Sequence, residues 1–164
     1  NFFNISSKFL FKEKVFKFPL ISKAVKINRN MYLNSYDQVL NNLPKKKTIL
    51  FAGIAYKENV DDLRNSPSLT LANELSKFYK VDLYDPLIEE KINLKKNIKK
   101  IIKIKKKYDS IILGVKHKFF LKKNFLEDLL KFNKNLIIFD FNNFIPVNQK
   151  KNKIFKKAKI INLT

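Results

Sequence analysis

The sequence predicts an α/β protein with an open parallel sheet and helices on both faces of that sheet. A long helix precedes the sheet in the chain. Short apolar runs at residues 48–54, 81–84, 108–115 and 135–141 have the length and composition of buried strands. Segments with apolar residues three or four apart separate several of these runs, which is the spacing of an amphipathic helix. Strands that alternate with helices favour a parallel, Rossmann-like sheet.

The first predicted element is a long helix over residues 19–43. Pro19 suits its start, because proline lacks a backbone N–H and an N–H at the first helical position would have no partner within the helix. Apolar side chains from Ile21 to Leu43 recur mostly every three or four residues, and Pro44 ends the pattern. An isolated helix would expose this stripe to water, so we expect the stripe either to contact a second copy of the chain or to pack on its own domain.

The first strand leads through a charged loop into a second helix. The loop covers residues 55–65, and Gly53 marks the end of the strand. Ser66 suits an N-cap and Pro67 the first helical position. In parallel α/β sheets ligands bind beyond the carboxyl ends of the strands, which is where this loop lies. The apolar face of the predicted helix consists of Leu71, Leu75 and Phe78.

The rest of the chain is less regular at first. Isoleucines among lysines predict short helices near residues 88–91 and 94–100 and a short strand near residues 101–104. A helix at residues 125–132 then joins two buried strands, and residues 159–163 are expected to form a last edge strand.

Composition excludes several kinds of site. The chain has 164 residues, of which 45% are hydrophobic, so it can form a core of its own. No apolar run is long enough to span a membrane, and we expect a cytoplasmic location. The absence of cysteine excludes disulfides, thiolate metal ligands and a cysteine nucleophile. With a single histidine as well, we expect no metal site.

The net charge of +21 arises from 35 basic and 14 acidic residues. Such a charge is typical of proteins that bind nucleic acid or another acidic surface. However, only Arg29 and Arg64 are arginines, and readers of bases and phosphates exploit the arginine fork. Abundant lysine, asparagine, isoleucine and phenylalanine are also typical of AT-rich codons. We favour this compositional origin and expect no nucleic-acid partner.

One long motif resembles a known family. Residues 53–67 read Gly-Ile-Ala-Tyr-Lys-Glu-Asn-Val-Asp-Asp-Leu-Arg-Asn-Ser-Pro, and Val-Asp-Leu-Tyr-Asp-Pro follows at residues 81–86. This pattern resembles the C-terminal domain of the UDP-glucose/GDP-mannose dehydrogenases, and most of all the UDP-N-acetylhexosamine 6-dehydrogenases of surface-polysaccharide synthesis. The resemblance implies the UDP-sugar-binding part of an NAD-dependent enzyme that oxidises the C6 alcohol of the sugar to a uronic acid.

The resemblance also implies a division of the chain. Residues 1–44 would be the end of a catalytic-loop region followed by a central dimerisation helix. Residues 45–164 would be the UDP-sugar-binding domain. The expected partners are therefore a UDP-sugar and a second copy of the chain, which would form a homodimer through residues 21–43.

Three residues are candidates for substrate binding. Lys57 can serve a pyrophosphate as a point charge, and the ring of Tyr56 can pack on a ribose or base. The family uses the matching aromatic residue and lysine to contact the UDP-sugar. Without the motif, Lys57 would be an ordinary surface lysine. Asn142 stands where the family has an arginine that contacts the nucleotide, and asparagine brings hydrogen bonds but no charge.

Other polar residues are expected to have structural roles. Carboxylates before a helix N-terminus are favoured by its dipole, and an arginine can tie a loop, so Asp61, Asp62 and Arg64 are expected to shape the loop. His117 could be a general base or a pH switch. A single histidine without ligand partners is more often a hydrogen-bonding residue of a loop, and the family often has a histidine at this position.

The chain alone is expected to bind a UDP-sugar without oxidising it, so no catalytic residue is assigned. In the family, a cysteine captures the aldehyde intermediate, and its position here would fall near Phe2, where little of the motif is kept. The sequence contains no Gly-x-Gly-x-x-Gly motif, so NAD is expected to bind to a domain that is not in this chain. A non-catalytic UDP-sugar-binding module and a basic nucleic-acid-binding domain stay open as alternatives.

Overall fold

Six parallel strands form a single open sheet. The structure is a computed structural model that describes residues 19–43, 45, 47–89, 92–122, 125–133, 135–146 and 155–163. All neighbouring strands pair in parallel, in the spatial order β3-β2-β1-β4-β5-β6. The strands are β1 (Thr48–Ala52), β2 (Lys80–Tyr84), β3 (Ile98–Lys100), β4 (Ser110–Leu113), β5 (Leu136–Asp140) and β6 (Ala158–Asn162).

This strand order confirms the predicted Rossmann-like sheet. The chain runs outward from β1 to β3, then returns to β4 on the other side of β1 and runs outward again. The direction of winding therefore reverses between β1 and β4, and such a switch point is where open α/β sheets bind ligands. The helices are α1 (Pro19–Asn42), α2 (Pro67–Leu75) and α3 (Phe125–Phe132), with single 3₁₀ turns at Lys118–Leu121 and Phe155–Lys157.

Helices cover both faces of the sheet, as predicted. Successive side chains of a strand point to opposite faces, and β1 shows this clearly. Ile49 and Phe51 belong to one core cluster, together with residues of α1 and α2. Leu50 and Ala52 belong to a second cluster, together with residues of α3. The side chains of these four β1 residues are fully buried, so β1 is the centre of the fold.

The apolar stripe of α1 has two different environments. The helix belongs to two compact units, one that ends at Met31 and a larger one that begins at Tyr32. In the larger unit, Val39 of α1 and Leu43, just after the helix, are buried in the core of the sheet, so this part of α1 packs on its own domain. In the smaller unit, Leu20 and Ile27 are mostly exposed. The roles assigned above to residues 1–44 and 45–164 stay predictions.

The segment after β2 differs from its prediction. The predicted helix over residues 94–100 and strand over residues 101–104 are wrong, because residues 98–100 form β3 instead. Val81 N–H donates to the carbonyl of Asn97 and Ile101 N–H to the carbonyl of Leu83, so pairing with β2 overrides a weak helical pattern. In the helix predicted near residues 88–91, residues 88 and 89 are not helical and the other two lie outside the described residues.

Two smaller predictions have different outcomes. The expected edge strand near residues 159–163 is confirmed as β6, which pairs with β5 at the end of the sheet. Helix α2 ends at Leu75, so the prediction that Phe78 continues its apolar face is wrong. Phe78 is 39% exposed and lies in the turn before β2.

Candidate functional site

The carboxyl ends of β1 and β4 approach each other so closely that both require glycine. Gly53 has φ +82°, and a Cβ there would lie 2.7 Å from the backbone N of Val115. A Cβ on Gly114 would lie 2.6 Å from the ring of Phe51 and would also meet the carbonyl of Gly53. Both glycines therefore serve close backbone approach at the switch point.

The carboxylate of Asp85 accepts hydrogen bonds from the backbone of the loop that follows β1. Its Oδ2 accepts hydrogen bonds from the N–H of Ile54 at 2.8 Å and of Ala55 at 3.2 Å, and Oδ1 accepts from the N–H of Leu87 at 3.0 Å. The same Oδ2 lies 3.0 Å from Nε2 of His117. The side chains of Asp85 and His117 are both 0% exposed, so this is a fully buried acid–imidazole pair.

The other nitrogen of His117 holds the loop further along. Nδ1 accepts the N–H of Asn59 at 2.8 Å, so this nitrogen carries no proton and the ring hydrogen lies on Nε2, facing Asp85. The Oδ1 atom of Asn59 accepts the N–H of Lys118 at 2.8 Å. Asn59 has φ +58°, a region that asparagine tolerates well. The expected hydrogen-bonding role of His117 in a loop is confirmed.

The surroundings of Asp85 favour its ionised form. Burial by itself raises the pKa of the Asp85 carboxyl, but the hydrogen bonds from His117, Ile54 and Leu87 more than offset this effect. The pKa therefore lies below its ordinary value, and Asp85 is a buried carboxylate at neutral pH.

At the start of α2, the side chain of a residue in the chain itself forms hydrogen bonds with the backbone. The Oγ atom of Ser66 accepts the N–H of Leu69 at 3.0 Å and donates to the carbonyl of Ile54 at 2.7 Å, so the predicted N-cap also ties the helix to the loop. In dinucleotide-binding folds, amides at this turn and at the following helix N-terminus face a pyrophosphate. Here Asp85 and Ser66 occupy them, so the described residues at this turn do not fit the pyrophosphate of NAD.

Tyr56 and Lys57 lie on the outer side of the same loop. The N–H of Tyr56 donates to the carbonyl of Asp62 at 2.6 Å, and its side chain is 50% exposed. Lys57 is exposed as well. Neither side chain hydrogen-bonds to any residue that the structure describes, so both are available to a ligand that approaches from solvent.

The three expected loop-shaping residues are only partly brought together. Arg64 donates from its backbone N–H and from its guanidinium to the carboxylate of Asp62, at distances from 2.8 to 3.2 Å. The hydrogen bond from the Arg64 side chain is the main reason why the pKa of Asp62 is lowered to about 2. Asp61 is exposed and lies outside this ion pair. Their loop-shaping role stays a prediction.

Asn142 follows the end of β5 on the other side of β4. Its side-chain amide donates to the carbonyl of Gly114 at 2.6 Å, which braces the turn after β4. Asp140 supports the next turn, because its carboxylate accepts the N–H groups of Phe144 and Ile145. Asn142 therefore has a structural bond in the absence of ligand, and its role in substrate binding stays a prediction.

Two features of this region were missed by the sequence analysis. No role was predicted for Asp85 beyond its place in the family motif, although an aspartate before Pro86 at the carboxyl end of β2 was a usable signal. Asn59 was not singled out, and nothing in the sequence indicated that it pairs with His117.

A mostly apolar cavity of about 700 Å³ opens beyond β2 and β3 next to Asp85. Its apolar lining includes Tyr84, Ile88, Ile92 and Ile101.

The fold and the position of this loop place the chain in the class of Rossmann-like α/β domains. Comparison with known proteins then gives the family. Residues 50–147 match the model of the UDP-glucose/GDP-mannose dehydrogenase family, UDP binding domain. Because this match covers more than half of the chain, the chain belongs to that family, which confirms the resemblance found in residues 53–86.

Known relatives agree with this assignment. A UDP-N-acetyl-D-glucosamine 6-dehydrogenase of Salmonella typhi is 30% identical over 140 residues, which is 79% of this chain and 33% of that protein. A solved UDP-D-ManNAc dehydrogenase of Pyrococcus horikoshii has a TM-score of 0.61 and 27% identity, and the match covers 94% of this chain and 35% of that one.

A more distant structure supports the fold alone. The NDP-N-acetyl-D-galactosaminuronic acid dehydrogenase of Methanosarcina mazei Go1 has a TM-score of 0.69 at 16% identity, with 97% of this chain and 35% of that chain covered. The chain thus spans about a third of the length of these relatives. In the part of the chain that the structure describes, no helix has the length and apolar character needed to cross a membrane.

Proposed function

We propose that this chain is the UDP-sugar-binding C-terminal part of an NAD-dependent UDP-sugar 6-dehydrogenase that acts on a UDP-N-acetylhexosamine. The observation that carries the proposal is the exposed pair Tyr56 and Lys57, which lies at the switch point within the family's motif. The names of the relatives support the class of reaction and of substrate.

In this proposal the outer side of the loop binds the nucleotide. The ammonium group of Lys57 neutralises the pyrophosphate, and the ring of Tyr56 packs on the ribose or base while its hydroxyl offers a hydrogen bond. The ion pair between Asp62 and Arg64 keeps the loop in shape beside them. Asn142 contributes hydrogen-bonding capacity without charge, so we expect weaker binding of the pyrophosphate than an arginine would give.

The chemical step requires groups that we place outside this chain. NAD accepts the hydride in this class of enzyme, and the amides at the first turn are already bonded to Asp85 and Ser66. A thiolate captures the aldehyde, and these 164 residues contain no cysteine. We therefore propose that the described domain binds and orients the substrate, and that another segment of the enzyme provides NAD and the nucleophile.

The assembly and location are part of the same proposal. The exposed apolar side chains in the first half of α1, with Ile21 38% and Ile27 59% exposed, support a homodimer through residues 21–43. The cysteine-free sequence fits the cytoplasm, where we propose that the enzyme works. A non-catalytic UDP-sugar-binding module is the second candidate, favoured by the missing cysteine and by Asn142 in place of an arginine.

A ligand panel tests the proposed function. Calorimetric titration at physiological salt should give saturable binding of UDP at one site per chain, and weaker binding of UMP and of inorganic pyrophosphate, because each lacks one of the groups that Lys57 and Tyr56 contact. A mixed-sequence oligonucleotide is the control for the net charge of +21. Tight oligonucleotide binding that falls steeply with salt, together with no UDP binding, would favour a nucleic-acid-binding domain instead.

A further inference from the structure

We propose that Asp85 and His117 are positioning residues, a buried pair that fixes residues 54–59 and thereby holds Tyr56 and Lys57 where they meet a nucleotide diphosphate. The inference rests on the proposed function, because it assigns the ligand to the loop. It adds two residues that touch no ligand themselves.

The geometry leaves only a short segment between two anchors. The first anchor is the carboxylate of Asp85, which takes the N–H groups of Ile54 and Ala55. The second is Nδ1 of His117, which takes the N–H of Asn59. Since the hydrogen bond between the two side chains joins the anchors, residues 56–58 are held at both ends by one rigid unit.

Stability alone does not account for this pair. Replacing a buried ionic or polar pair with apolar residues of similar volume is often neutral or stabilising, so core packing does not require one here. His117 already lies against the ring of Phe120, with ring centroids 5.7 Å apart, so an apolar side chain would find neighbours. What the pair adds is a fixed conformation of the loop, because three of its backbone N–H groups donate to acceptors that are themselves held in place.

The pair also determines where a phosphate can bind. The carboxylate of Asp85 acts as an internal anion at the amides where a dinucleotide fold would place a phosphate. A ligand diphosphate is therefore excluded from the inner position by charge and by occupied donors. On its outer side the same loop offers the exposed ammonium of Lys57, whereas the guanidinium of Arg64 is paired with Asp62.

Two variants and a matched control test the inference. Asp85→Asn removes the charge. His117→Gln keeps an N–H donor at the ε position towards Asp85 but has no acceptor at the δ position, where Nδ1 takes the N–H of Asn59. Asp109→Asn is the control, because Asp109 also accepts a backbone N–H, that of Thr48, but at the amino ends of β1 and β4. Thermal melts followed by circular dichroism establish that each variant is folded, and His117→Gln keeps the test valid if Asp85→Asn does not fold.

The first readout needs no ligand and uses NMR. Because the chain has one histidine, its imidazole nitrogens are assigned without ambiguity, and we expect a proton on Nε2 and none on Nδ1. The N–H groups of Ile54 and Asn59 should exchange slowly. In both variants the exchange of Asn59 should accelerate about tenfold or more beyond any change in global stability, as expected for a lost buried hydrogen bond.

The second readout is the affinity for UDP. We expect about tenfold weaker binding in Asp85→Asn and His117→Gln, the equivalent of losing one ordering hydrogen bond, and less than about twofold change in Asp109→Asn. Folded variants that bind UDP as tightly as the wild type would overturn the positioning role while leaving the proposed function intact. A wild-type protein that does not bind UDP, with the expected imidazole tautomer, would overturn the proposed function and with it this inference.

Discussion

At the scale of residues, buried carboxylates organise the carboxyl edge of the sheet. Asp85 and Asp140 are both almost fully buried, and each accepts hydrogen bonds from backbone N–H groups of a turn that follows a strand. A carboxylate that is satisfied in this way is held in one orientation and fixes the turn in return. Buried carboxylates therefore fix the conformation of the loops at the candidate site, and exposed groups such as Lys57 stay available to ligands.

The lowered pKa of Asp85 predicts a dependence of stability on pH. A carboxyl whose pKa is lower in the folded state stabilises the fold at a pH above its unfolded value, roughly 3.9, and loses this contribution as the pH falls. We expect the free energy of unfolding of the wild type to decline below about pH 5, and that of Asp85→Asn to be lower at neutral pH and to decline less steeply. Urea denaturation between neutral and acidic pH measures both. Equal slopes in the two proteins would contradict this assignment.

At the scale of elements, one edge of the sheet carries charged side chains, and the two halves of α1 have different environments. The edge strand β3 carries Lys99 and Lys100, and charged side chains on an edge strand discourage pairing with other chains. Part of the high net charge thus has a structural use. In α1 the second half is anchored in the core through Val39, and Leu43 just after the helix is buried as well, whereas Ile21 and Val25 in the first half are exposed.

The exposed half of α1 predicts weak self-association. Burying the apolar side chains of Ile21 and Val25 against a second copy would remove them from water, and each buried side chain is worth roughly 1.5–3 kcal/mol at most. We expect concentration-dependent sedimentation of the wild type, and a shift towards monomer in Val25→Glu. Lys23→Ala is the control, because it changes the charge by the same amount without removing an apolar contact. A wild type that stays strictly monomeric at high concentration, with the helix formed, would count against the dimer.

Much of the fold could be predicted, because its central elements depend on local patterns. The apolar run at residues 48–52 and the Ser66-Pro67 start of α2 follow from composition and capping. Strand β3 could not be predicted, because its formation depends on pairing with β2 and its own sequence is mixed. Tyr56 and Lys57 were found through a motif of neighbouring residues. The pair of Asp85 and His117 joins positions far apart in sequence, and only the fold brings them together.

At the scale of the whole molecule, the proposed function assigns substrate binding to this chain and the oxidation step to another segment of the enzyme. It belongs to a dehydrogenase family but covers about a third of the length of the relatives. The first turn of the sheet does not fit the pyrophosphate of NAD, since its amides are bonded to Asp85. If binding and chemistry are divided in this way, as we propose, each can be measured by itself.

This separation predicts no dehydrogenase activity from these 164 residues alone. We expect no formation of NADH above a no-protein control with UDP-N-acetylglucosamine or UDP-glucose as substrate, because neither a thiolate nor a dinucleotide motif is present. Absorbance of NADH measures the outcome. Formation of NADH that depends on both the protein and the sugar nucleotide would refute this prediction and require another nucleophile.

The central claim is that the loop after β1 binds UDP through Lys57. Calorimetric titration of UDP into the wild type, Lys57→Ala and Lys105→Ala at low and high salt tests it most directly. Lys105 is the matched control, since it is also an exposed lysine but lies in the lysine-rich segment after β3. We predict about ten- to a hundredfold weaker UDP binding for Lys57→Ala only, which is the loss expected for a charge-assisted hydrogen bond. Most of this difference from the wild type should persist at high salt. Equal affinities in the two variants, both fading with salt, would contradict the account, because they would indicate bulk electrostatic attraction.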